Sequence, residues 1–275
     1  MLKMSKCFAR CCFALSVVGS VALSGCATTA RNSTSVVDYL YPSNQEVVMP
    51  GVPTLKLPLR VGIAFAPGNS GTVESPTANV IWTPTHPRPP TLNEKLTEMQ
   101  KVDLMREVGE RFRKYPFVRD IELIPTDYLQ QRGGFANLDQ VRMMFDVDEI
   151  VLISYDQTQF VDQGLMSLVY WTGLGAYMAN GEKNNTQTLL EAVVLDIPSR
   201  KMLFRAPGTS TVKGSATLVN KSQGLRENRE EGFRKAAESM IEHLDAQLAS
   251  FRAKIKERPQ DFTVIRPEGY KESGG

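Results

Sequence analysis

The chain has 275 residues, with 32 Lys and Arg against 30 Asp and Glu, two His and four Cys. That length suits one domain with a sizeable core plus appended segments. A charge balance this close to neutral gives no electrostatic footprint for nucleic acid, and two histidines leave little for a spaced metal motif.

Lys3, Lys6 and Arg10 precede an uncharged apolar run of 13 residues from Cys11 to Leu23. This is a signal-peptide layout, and the run falls short of the roughly 20 residues that a membrane-spanning helix needs. It closes on Leu23-Ser24-Gly25-Cys26, which resembles the lipobox of bacterial lipoproteins. The resemblance implies cleavage between Gly25 and Cys26 and lipid attached to Cys26 through a thioether. Acyl chains burying CH₂ groups at about 0.8 kcal/mol each would hold the mature chain on a membrane without a transmembrane helix. Ala27 follows the cysteine, and by resemblance to lipoproteins of enterobacterial type the absence of aspartate there implies the outer membrane, facing the periplasm, with the inner membrane or the cell surface as alternatives.

Removing residues 1–25 takes three basic residues and no acidic ones, so 32 less 3 leaves 29 basic against 30 acidic side chains. Cys7, Cys11 and Cys12 leave with the signal and Cys26 is consumed by lipid, so no disulfide, thiolate nucleophile or cysteine metal site is expected.

Residues 26–58 are rich in Ser, Thr, Asn and Pro and read as a flexible tether, although Tyr39, Leu40, Tyr41, Val47, Val48 and Met49 could pack on the domain. A single globular domain is expected over 59–258, followed by a tail over 259–275. Its first strand is Leu59-Arg60-Val61-Gly62-Ile63-Ala64-Phe65, and the Pro-rich stretch 75–90, with Trp82 and His86, reads as a surface loop. Thr91 with Glu94 makes a capping-box pattern before a helical stripe that runs from Leu92 to Phe112. Residues 117–124 alternate toward a strand, a short helical pair surrounds 128–145, and 149–155 reads as a central strand. Strand, helix, strand, helix, strand implies right-handed crossovers and a partly parallel sheet. Pro198-Ser199-Arg200 divides two β-rich runs into a hairpin, and Phe233, Ala237, Met240, Leu244, Leu248, Phe251 and Ile255 mark a long amphipathic C-terminal helix over 223–258. The fold class is α/β or α+β, a mixed sheet covered by helices.

Candidate chemistry is sparse. His86 and His243 belong to no metal-ligand motif, and Gly68-Asn69-Ser70-Gly71 has the look of a nucleophile loop without the base and acid that such a serine needs. Asp146, Asp148 and Glu149 cluster before the central strand, but alternation points Glu149 away from the other two, and loop solvation is the expected role. The segment 164–180 is apolar and uncharged, interleaved with glycine. It is expected either to pack in the core or to offer an exposed surface on which Tyr170, Trp171 and Tyr177, with Trp82, act as anchors.

The lipobox, the Leu-Arg-Val-Gly-Ile-Ala-Phe-Ala-Pro strand, the Tyr-Pro-Phe-Val-Arg-Asp-Ile-Glu-Leu-Ile-Pro segment, the Asp-Ile-Pro-Ser-Arg-Lys hairpin and the Gly274-Gly275 pair together resemble the rhombotarget lipoprotein family. More loosely, the order of elements is similar to envelope-assembly lipoproteins of the curli-secretion and TolB amino-terminal kind. The first resemblance implies a place in a rhombosortase-linked sorting system, with Gly274 and Gly275 as a candidate processing motif. The expected function is a membrane-anchored, non-enzymatic binding or scaffolding factor with envelope proteins as partners. Neither cofactor nor nucleic acid is expected, and a homo-oligomer is left open. Two alternatives stand beside it: a periplasmic hydrolase using Ser70, His86 or Asp148, and a carrier of lipid or a small ligand.

Overall fold

A computed structural model describes residues 28–42, 49–68, 96–162, 182–216 and 221–270. Departures from the expected tether begin at once. Thr28–Ser33 form β1, Val36–Leu40 form helix α1, and Thr54–Lys56 form β2. Ser35 caps α1 by accepting from the Asp38 amide at 3.1 Å, and Val36, Tyr39 and Leu40 are buried. Tyr39 Oη donates to Asn137 Oδ1 at 2.9 Å, which fastens α1 to the domain.

The remaining elements follow the expected order. They are β3 (Leu59–Phe65), α2 (Glu98–Arg113), β4 (Val118–Ile124), α3 (Gly134–Phe145), β5 (Glu149–Asp162), β6 (Glu182–Asp196), β7 (Lys201–Ala216), α4 (Lys221–Glu257) and β8 (Thr263–Ile265). Apolar runs in β3 and β5 suit parallel strands buried on both faces. Helix α2 starts at a capping box six residues downstream of the expected one: Thr97 Oγ1 accepts from the Gln100 amide at 3.2 Å, and Gln100 Oε1 accepts from the Thr97 amide at 3.0 Å. Thr91 and Glu94 lie outside the described residues.

Strands β4, β3, β5, β6 and β7 make one sheet in that order. The β3 pairings with β4 and β5 are parallel, whereas β5–β6 and β6–β7 are antiparallel. The fold is therefore the expected mixed sheet with a late hairpin and a long final helix. β5 is twice as long as the central strand expected, 14 residues, and two strands share one of its edges. β3 takes the first part, from Glu149 to Ile153, and β1 runs antiparallel along the last part, from Asp156 to Val161.

Helices cover both faces. On one, α2 and α4 bury Leu104, Val108, Met240 and Leu244 against Ile63, Val151, Ile153 and Leu190. On the other, α1 and α3 bury Leu40, Leu138 and Val141 against Ala64, Leu152 and Leu195. Helix α4 lies close enough to β7 that a Cβ on Gly208 would stand 2.1 Å from the Ala236 carbonyl oxygen and 2.4 Å from the Met240 amide nitrogen. Beyond the core, the same helix rests on a polar ladder. Gln157 Nε2 donates to Thr188 Oγ1 and to the Arg229 carbonyl, and Gln159 Nε2 donates to Thr186 Oγ1 and to the Leu225 carbonyl. The residues expected to form a tail also take part, since β8 pairs in parallel with β2. Among the described residues no helix is long and apolar enough to cross a membrane.

Candidate functional site

Where β5 begins, its strand alternation sends consecutive acids to opposite faces of the sheet. Asp148 turns toward α3. Arg60 donates to its Oδ2 at 2.7 Å, and Arg142 donates to Oδ1 through Nε at 3.0 Å and Nη2 at 2.8 Å. Asp146, in the left-handed conformation that ends α3, also pairs with Arg60. Burial alone would push the Asp148 carboxyl up, but the hydrogen bonds from Arg60 and Arg142 outweigh it and hold the group below the usual carboxylate range. The expected loop solvation is thus replaced by a clamp: two guanidinium groups satisfy a carboxylate that is itself 4% exposed. Both Asp148 oxygens are occupied, so it is not placed to act as a general base. No group of three His, Cys, Asp or Glu that could hold a metal ion occurs among the described residues.

Glu149 turns the other way, as the alternation predicted, and enters the space between the sheet and α4. It is 1% exposed and neither carboxylate oxygen has a hydrogen-bond partner. Asp196 stands directly opposite on β6. Its Oδ2 is taken by the Ser199 amide at 2.8 Å, which stabilises the hairpin turn, while its Oδ1 is likewise buried without a partner. Burial first, then the nearby charges of Asp148 across the strand and Asp196 opposite, push the Glu149 carboxyl up to about 8, so that it is largely protonated at neutral pH.

Glu149 lines a cavity of about 110 Å³. Its apolar walls include Leu55 and Leu57 from β2 onward, Leu59 and Val61 of β3, Phe112 and Phe117 flanking the end of α2, Val194 of β6, Leu203 and Phe204 of β7, and Leu248, Phe251 and Ile255 of α4. Val264 of β8 also lines it, so the terminal ribbon of β2 and β8 helps to wall the space. Arg252, Lys256 and Arg266 line the same cavity, and the last two are exposed. Arg252 stacks its guanidinium over the Phe117 ring, 5.3 Å from the centroid. The result is an apolar space on the order of the ~150 Å³ engineered cavity that admits benzene, with one uncompensated acid inside.

The other sequence candidates are dispersed. His243 is exposed on α4. Gly25, Cys26, Ser70, Trp82, His86, Tyr170, Trp171, Tyr177, Gly274 and Gly275 lie outside the described residues, as does the whole 164–180 segment. Comparison with models of known protein families and with characterised proteins finds no match for this chain.

Proposed function

We propose that this chain is a lipid-anchored, non-enzymatic binding protein of the cell envelope, held on a membrane by acylated Cys26 and using the cavity beside Glu149 to hold a small apolar guest. The observation that carries the binding role is the cavity itself: it stays open although apolar side chains on β7 and α4 border it, and protein interiors otherwise pack to crystal-like density. A pocket that is mostly apolar with a single inward polar group is the usual form of a small-molecule site. The lipobox at Leu23 to Cys26 supports the anchor.

Two measurements test this reading. Wild-type protein should fractionate with membranes and Cys26→Ser should not; a Cys26→Ser form that stays in the membrane fraction refutes the anchor. Toluene added to the purified Cys26→Ser chain should move the methyl resonances of Leu55, Leu248 and Ile255. Resonances that stay in place at saturating toluene refute the cavity as a binding site.

A further inference from the structure

Resting on that reading, we infer that the natural occupant of the cavity is an uncharged molecule with an apolar, ring-sized body and one hydroxyl or N–H group that hydrogen-bonds to Glu149. A carboxyl group that is 1% exposed with both oxygens unpartnered is an anomaly for a folded chain, because nearly all buried polar groups find a partner. No protein group partners it. Asp196 opposite is another acid whose Oδ2 accepts from Ser199 and whose Oδ1 is likewise buried without a partner, and Arg60 and Arg142 donate to Asp148 on the far face. A group from outside the chain can supply the partner that Glu149 lacks, through the cavity that Glu149 lines.

The surroundings select among possible donors. An ammonium ion would suit an acid, but Arg252, Lys256 and Arg266 line the same cavity and would repel it. An anion would be drawn to the exposed Lys256 and Arg266 rather than to the buried Glu149 carboxyl, which it would leave without a donor. A metal ion lacks the further ligands it needs, since no three-residue ligand group occurs among the described residues. A neutral hydroxyl or N–H avoids all three penalties. It can donate to the acid's carbonyl oxygen while its apolar body fills the space among Leu248, Phe251 and Leu203.

The test uses the full mature chain carrying Cys26→Ser, so that no acyl chain or detergent competes, and follows methyl resonances during titration with toluene, p-cresol and benzylamine. These probes share one ring body and differ in the group presented to Glu149. Wild-type cavity residues should bind p-cresol at least about tenfold more tightly than toluene, the factor expected when a buried polar group gains its partner. Glu149→Gln, which keeps a hydrogen-bonding amide, should retain the preference. Glu149→Leu should lose it and still take up toluene, which shows that the variant folds. Equal affinity for toluene and p-cresol, a preference that survives in Glu149→Leu, or tighter binding of benzylamine than of p-cresol would each overturn the inference while leaving the cavity a binding site. Failure of all three probes to bind would overturn the inference and the binding role together.

Discussion

Replacing Glu149 with glutamine should stabilise the protein, by an amount that grows with pH. In the unfolded chain a glutamate ionises near 4.5, whereas burial and the nearby acids raise Glu149 in the folded chain to about 8. Between those values the folded state holds one more proton than the unfolded state, so stability falls as pH rises, by about 1.4 kcal/mol per pH unit. The loss is under about 1 kcal/mol at pH 5, about 3 kcal/mol at pH 7 and about 5 kcal/mol above pH 8, where it levels off. Glutamine matches the shape, does not titrate and escapes the whole of it. Urea unfolding of wild type and Glu149→Gln at pH 5, 7 and 9 should give stability differences that widen in that sequence in favour of the variant. A difference that is flat with pH, or a variant less stable than wild type at pH 9, would refute the argument.

Two further substitutions probe the frame around the site. Gly208→Ala should destabilise by about 3 kcal/mol or more, because the new methyl meets the α4 backbone rather than a movable side chain. Gly51→Ala, whose Cβ would find only Ser199 at 3.7 Å, should stay within about 0.5 kcal/mol of wild type by the same urea assay. Arg142→Leu removes two of the three hydrogen bonds to Asp148 and should cost about 1–3 kcal/mol at neutral pH. Because the folded Asp148 carboxyl is held below its ordinary value, its contribution exists above the usual carboxylate range and is lost as pH falls. The Arg142→Leu deficit should accordingly shrink toward pH 3 in thermal unfolding, and a deficit that is constant from pH 7 to 3 would count against the clamp.

How far the sequence reached depended on whether a feature was local. The β6–β7 hairpin was legible because Pro198-Ser199-Arg200 sits between two β-rich runs, and Arg200 indeed takes the positive φ that such a turn requires. The α4 stripe was legible because three-four spacing carries its own signal. β1 was not: Thr-Thr-Ala-Arg-Asn-Ser has neither alternation nor apolar content, and its place depends on free backbone groups along the last part of β5. For the acids, alternation correctly separated Glu149 from Asp148, yet the sequence could not reveal what each would meet. Arg60 lies 88 positions from Asp148, and the cavity around Glu149 draws on residues from Leu55 to Arg266. The unsatisfied carboxyl at the head of an apolar strand was the signal available, visible as Glu149 preceding Ile-Val-Leu-Ile.

The pairing of β1 with the far half of β5 also sets a direction. Thr28 is only two residues from Cys26 and lies opposite Val161, so lipid on Cys26 would leave almost no slack between bilayer and sheet. Glu149 lies 12 residues from Val161 along β5, about 40 Å at about 3.3 Å per residue. An anchor on Cys26 would therefore hold one end of β5, and the cavity beside Glu149 would stand at the strand's other end.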